Sequence, residues 1–203
     1  SKENNALIYD RKESVNDFLK NFNNSSIDFD LPNSYENVLR DYQKEGYQWL
    51  KLIAHYGFGG ILADDMGLGK TLQMIAYLDS ERKEGRTNIV VTPASLLLNW
   101  EDEIHKFSSD LKCLAIYGTK NERNEFIQSA KDYDVIITSY DYLRRDIELY
   151  EEINFYTIVL DEAQYIKNQK TKNALCVKKL KGEHRFALTG TPIENSLAEL
   201  WSI

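Results

Sequence analysis

The chain has 203 residues, 42% of them hydrophobic and 28% charged, the mix of a globular protein with one substantial core. Its apolar runs reach five residues at most, far from the ~20 of a bilayer-crossing helix, which argues against a membrane role. The formal charge of −7 counts mildly against nucleic acid, and Cys113 and Cys176, in no CxxC context, with scattered His55, His105 and His184, argue against a zinc site or a disulfide framework.

Residues 1–37 are Asn-rich and glycine-free. Val15, Phe18, Leu19 and Phe22 recur at helical spacing after Ser14, which predicts one short amphipathic helix. "NNSS" follows, and then "IDFDLP" alternates as an edge strand would. This stretch reads as an appendage packed on a main domain that occupies residues 38–203.

From Leu39 the pattern is regular. Leu39, Tyr42, Gly46, Trp49, Leu50 and Ile53 form one helical stripe with Gln43 on its edge. Six apolar runs then alternate with helical stretches: "GILAD" (60–64), "NIVVT" (88–92), "KCLAIY" (112–117), "DVIITS" (134–139), "TIVLD" (157–161) and "RFALT" (185–189). Near-continuous apolar strands alternating with helices predict an α/β fold, a mostly parallel central sheet with helices on both faces. Five of the six runs end in a polar group: Asp64, Thr92, Thr138-Ser139, Asp161 and Thr189. In a parallel sheet those ends share the edge at which open α/β folds bind ligands. From Tyr165 to Arg185 seven bases face the single acid Glu183, which fits a solvated helix face or a phosphate-facing surface.

Between the first run and its helix stands "ADDMGLGKT". Gly67 and Gly69 occupy the strand-to-helix turn, where backbone N–H groups and a helix start can face phosphates. Lys70 is placed to reach β- and γ-phosphates and Thr71 to offer its hydroxyl to Mg²⁺. Asp161 ends a later strand, suited to hold Mg²⁺ directly or through water, and Glu162 is suited to polarise an attacking water. The strict GxxxxGK[ST] pattern would want glycine at position 64, where this chain has Asp64.

Six stretches occur in the order of helicase motifs Q, I, Ia, Ib, II and III: "LRDYQKEGYQWL", "ILADDMGLGKT", "VTPASLLLNWEDEI", "ITSYDYLRRD", "VLDEAQYIKN" and "ALTGTPIEN". From about Leu39 to Trp201 the chain resembles the SWI/SNF branch of superfamily 2, ATP-driven double-stranded DNA translocases. An acidic stretch before MGLGKT is usual in that branch, which accounts for Asp64. The resemblance implies the first, N-terminal RecA-like lobe of a P-loop NTPase motor, with ATP and Mg²⁺ as cofactors. It implies that Asp65, Met66, Gly67, Leu68 and Gly69 cradle phosphates with Lys70 and Thr71, and that Gln43 reads the adenine edge. By the same resemblance Asp161 binds Mg²⁺ and Glu162 is the catalytic acid.

Pro93, Ser95, Thr138, Ser139 and Tyr140 fall in motifs that track one DNA strand's backbone. Lys167 and Asn168 begin the basic run, and Thr189 and Thr191 would couple nucleotide state to the DNA site. Gln164 stands where many relatives carry histidine. Motifs IV to VI are not in the sequence, so a C-terminal RecA-like lobe of the same parent chain is the expected partner, and this chain alone is expected to hydrolyse ATP very slowly. An RNA helicase of a neighbouring branch and a nucleotide-gated module without turnover are the competing readings. Ser1 rather than Met at the start, with no leader after it, suggests an excised piece of an intracellular protein: cytoplasmic and nucleoid-associated in a bacterium, nuclear in a eukaryote.

Overall fold

All six apolar runs form strands of one sheet, in the order 60–62, 181–188, 154–160, 88–92, 135–139, 113–115, and every pairing is parallel. The computed structural model describes residues 27–63, 69–166 and 171–190. The helix expected over 15–22 lies outside them. The strands are β1 (Gly60–Leu62), β2 (Asn88–Thr92), β3 (Cys113–Ala115), β4 (Val135–Ser139), β5 (Asn154–Leu160) and β6 (Lys181–Leu188). The helices are α1 (Asp41–His55), α2 (Lys70–Ser80), α3 (Leu97–Phe107), α4 (Lys120–Gln128), α5 (Tyr140–Tyr150) and α6 (Lys172–Lys179).

Successive strand residues point to opposite faces, and here both faces are covered. Val90, Val159, Phe186 and Leu188 face a core shared with α1, α2 and α3 through Tyr47, Leu50, Met74, Leu78, Trp100 and Ile104. Ile89, Val91, Ile158, Leu160 and Ala187 face the other core, against α4, α5 and α6 through Ile127, Leu143, Tyr150, Ala174 and Val177. Two-sided burial is why the strands read as unbroken apolar runs. Each such side chain contributes about 1.5–3 kcal/mol on burial.

Two expectations change. The buried stripe of α1 is Gln43, Tyr47, Leu50, Ile53 and Ala54, about one position round from the one read in the sequence, while Tyr42 is 38% exposed. Aromatic residues occur on both sides of this helix, so spacing alone does not fix its rotation. Close approach to α2 does: a Cβ on Gly46 would overlap the side-chain oxygen of Gln73. The second change is that "IDFDLP" pairs with no strand among the described residues. Its Phe29 N–H donates to Gln48 Oε1 at 2.8 Å, and the Phe29 carbonyl accepts from Gln48 Nε2 at 2.6 Å. A side-chain amide on α1 thus does what a neighbouring strand would.

Residues 27–37 are fastened to the domain. Tyr35 is fully buried in the same core as Leu39, and its hydroxyl donates to Asp79 Oδ2 at 2.8 Å. Tyr47 donates its hydroxyl to the Asp30 carbonyl at 2.7 Å. On the opposite face Arg123 of α4 and Asp146 of α5 form a buried ion pair. Helix α5 is locally non-helical at Asp146 (φ −117°, ψ 18°). Among the described residues no helix is long and apolar enough to cross a membrane.

Candidate nucleotide site

Because every strand runs the same way, β1, β2, β4, β5 and β6 all deliver their carboxyl ends to one edge. At that edge a cavity of about 350 Å³ is lined by Gly69, Lys70, Thr71, Leu96, Asn99, Trp100, Glu103, Asp161 and Glu162. Lys70, Thr71, Asp161 and Glu162, some ninety positions apart in sequence, therefore face one space. Asp65, Met66, Gly67, Leu68, Lys167, Asn168 and Thr191 lie outside the described residues.

Helix α2 starts at this cavity. Its N-cap, Gly69, has φ 73° and ψ 38°, the left-handed conformation that favours glycine, and offers no side chain of its own as a cap. Gly69, Lys70 and Thr71 line the cavity, so the N-terminal turn of α2, the end of a helix that suits an anion, adjoins it. A Cβ on Gly69 would overlap Gln43 Nε2. Gln43 is 6% exposed, part of the α1 stripe rather than its edge, and its Oε1 accepts from the Arg40 N–H at 2.9 Å. It adjoins the glycine turn without appearing among the cavity's lining residues.

Asp161 is 8% exposed. Its Oδ2 accepts from Thr92 Oγ1 at 2.9 Å and from Trp100 Nε1 at 2.8 Å, and its Oδ1 accepts from the Glu162 N–H at 2.9 Å. Burial raises its pKa above the ordinary carboxylate value, and the Trp100 and Thr92 hydrogen bonds oppose that rise. A carboxylate oxygen accepts about two hydrogen bonds, so Oδ2 is filled and Oδ1 keeps a place. With the Thr71 hydroxyl on the same cavity, the donors are oxygens, as Mg²⁺ requires, and few, as suits an ion that also takes phosphate and water oxygens. The residues present fit that ion. Among the described residues no cluster of three His, Cys, Asp or Glu forms a separate metal cage.

Glu162 is held at φ 47°, a conformation that costs a non-glycine residue roughly 1–2 kcal/mol. Its Oε2 accepts from Gln164 Nε2 at 2.5 Å, and Gln164 Oε1 accepts from Thr189 Oγ1 at 3.2 Å. The Thr189 N–H donates to the Leu62 carbonyl at 3.1 Å. Strand-end acid, glutamine and threonine therefore form one hydrogen-bonded line across β5, β6 and β1.

Of the residues assigned by resemblance to a DNA strand, three make internal contacts instead. Thr138 Oγ1 accepts from the Tyr150 hydroxyl at 3.1 Å, Ser139 Oγ caps α5 by accepting from the Tyr142 N–H at 3.2 Å, and Tyr140 donates to the Asp161 carbonyl at 2.7 Å. Their exposures are 0%, 1% and 3%, so these side chains build the edge and do not face solvent. Pro93 is buried and Ser95 exposed, in the turn after β2. Trp100 was missed by the sequence reading, and Thr92 and Gln164 were seen only as a polar strand end and a departure from pattern. An NW pair on an amphipathic helix marks a buried indole, but not the carboxylate it meets.

A parallel α/β sheet with a glycine-led helix and a strand-end acid pair at one cavity is the RecA-like fold. A family model described as SNF2-related domain matches residues 42–203. The chain belongs to that family. It is 45% identical over 174 residues to a candidate ATP-dependent helicase/translocase of Bacillus subtilis, YwqA, covering 84% of this chain and 19% of that protein. It is 43% identical over 187 residues to an uncharacterized ATP-dependent helicase of Mycoplasma genitalium, covering 91% of this chain and 18% of that one. A solved SWI2/SNF2 ATPase core from Sulfolobus solfataricus, in complex with dsDNA, aligns with TM-score 0.74 and 43% identity over 86% of this chain and 37% of its own. The chain thus spans about a fifth of the length of these two relatives.

Proposed function

We propose that this chain is the N-terminal ATP-binding lobe of an ATP-dependent double-stranded DNA translocase, with residues 1–37 an appendage to a lobe over 38–203. The observation that carries the proposal is the shared cavity of Lys70, Thr71, Asp161 and Glu162 at the start of α2. Lys70 and the first N–H groups of α2 bind the β- and γ-phosphates, and Gln43 faces the adenine from beside Gly69. Thr71 and Asp161 would hold Mg²⁺, which when bound would supply positive charge to the phosphate site. Glu162 orients the attacking water and accepts its proton.

Among the described residues that line the cavity, Lys70 is the only cation. Charge building up on the transferring phosphoryl group calls for more, and an arginine supplied to such a site accelerates it by about 10³–10⁵. We assign that contribution to a second RecA-like lobe. Duplex DNA as the track is supported by the family and by the dsDNA bound to the Sulfolobus neighbour. Its contacts fall to the turn after β2, where Ser95 is exposed beside the buried Pro93, and to Lys167 and Asn168, with Thr189 and Thr191 linking them to the nucleotide. An intracellular protein acting on DNA works in the bacterial cytoplasm or, in a eukaryote, the nucleus.

The test is Lys70→Ala, with binding of a fluorescent ATP analogue measured in Mg²⁺. A charged hydrogen-bonding group contributes roughly 1.5–3 kcal/mol, so affinity is expected to fall by about 10–100-fold. Unchanged binding would remove the phosphate site from the account.

A further inference from the structure

Asp161 is gripped from outside its own strand. Trp100, on α3, is 1% exposed in the core between that helix and the sheet, and its Nε1–H donates to Asp161 Oδ2 at 2.8 Å. Thr92, at the end of β2, donates to the same oxygen at 2.9 Å. The backbone N–H of Glu162 takes the other oxygen at 2.9 Å. We propose that Trp100 is a positioning residue: with Thr92 it saturates Asp161 Oδ2, fixes the carboxylate plane, and leaves Oδ1 as the oxygen presented to Mg²⁺. This inference rests on the reading of the cavity as a Mg²⁺–nucleotide site.

The chemistry of the donors carries it. Indole has one N–H and no acceptor, so it cannot reverse its role as a hydroxyl can. A ring locked in a close-packed core also cannot swing away. The terminal torsion of aspartate is broad and sets no preference of its own, so its orientation comes from its partners. Removing the indole donor frees a lone pair on Oδ2 and lets the carboxylate turn toward either oxygen. Outer partners of metal-binding carboxylates act in this way, and their loss weakens metal affinity by about 10–100-fold.

The test is a Mg²⁺ titration of fluorescent ATP-analogue binding to the 203-residue chain, wild type against Trp100→Phe, with analogue binding in EDTA and urea unfolding run alongside. Trp100→Phe keeps an aromatic ring and removes the donor together with part of the indole's volume, the cost of which urea unfolding reads. Its Mg²⁺ midpoint is expected to rise by about 10–100-fold, with binding in EDTA unchanged. A midpoint within about twofold of wild type in a folded variant overturns the inference, since the indices of metal affinity that such a partner controls would not have moved. If Trp100→Phe does not fold, the wild-type indole N–H resonance of Trp100 decides, assigned by substituting Trp49 and Trp201. It is expected to shift when Mg²⁺ is added to nucleotide-bound protein, and an unmoved resonance overturns the inference. Wild-type protein that binds no analogue overturns the nucleotide reading itself, a different outcome from binding that is present but insensitive to Trp100.

Discussion

Asp146→Ala is expected to remove about 3–5 kcal/mol of folding stability. Arg123 Nε donates to Asp146 Oδ2 at 2.6 Å and Nη2 donates to Oδ1 at 3.1 Å, a bidentate pair in which each residue is 5% exposed. Nη1 donates to the Gly118 carbonyl at 2.7 Å, and the guanidinium lies 4.7 Å from the Tyr142 ring centroid. Donation to the Asp146 carboxylate holds the arginine's pKa above its ordinary value, against the opposing effect of burial. Alanine would leave that cation buried with only a carbonyl and a ring. Since a domain's whole stability is about 5–15 kcal/mol, urea unfolding should show a large fall in midpoint. Arg123→Met combined with Asp146→Leu should recover most of it, because apolar replacement of both partners is often neutral. A loss under about 1 kcal/mol for Asp146→Ala, the range of a solvated surface pair, would mean the pair is not buried.

Glu162→Gln, made in a chain joined to its second lobe, is expected to lower kcat by about 10²–10⁴, or roughly 3–5 kcal/mol of barrier. Nucleotide affinity should change little. Glutamine keeps the size of the side chain but cannot accept a proton from water. The native carboxylate is aimed by two features of the structure: the left-handed backbone at φ 47° and the hydrogen bond from Gln164, itself tied to Thr189. The backbone strain and the line of polar contacts both converge on this one group, which is where a reaction would need it. Turnover retained within a few-fold, with kcat and the analogue's Kd measured together, would take the proton-accepting role away from Glu162.

How much of this was legible beforehand depended on what each residue's surroundings ask of it. The strands were legible because a sheet buried on both faces needs apolar side chains at successive positions, as in Ile89, Val90 and Val91. Their shared polar edge followed from parallel pairing. The rotation of α1 was not legible, since Tyr42 and Tyr47 offer similar apolar surface and only contact with α2 chooses between them. "IDFDLP" alternates like a strand, yet Gln48 reaches its backbone first. Thr138, Ser139 and Thr189 look alike as strand-end hydroxyls. The first bonds Tyr150, the second caps α5, and the third meets Gln164. Such partners come from tertiary placement, as does the bond between Trp100 and Asp161 across 61 positions of sequence. The positive φ of Glu162 was equally hidden, because glutamate is not a residue type that signals it.

If this lobe holds Mg²⁺–ATP in a site whose chemistry is completed from outside it, binding and turnover come apart. The most direct measurement is steady-state ATP hydrolysis by the verified monomer, with and without duplex DNA, beside nucleotide binding by the same sample. The expected result is clear binding with turnover at least about 10³-fold below that of an arginine-completed site. Turnover near ~10 s⁻¹ from the monomer would contradict it, because every group the reaction needs would then lie within this chain.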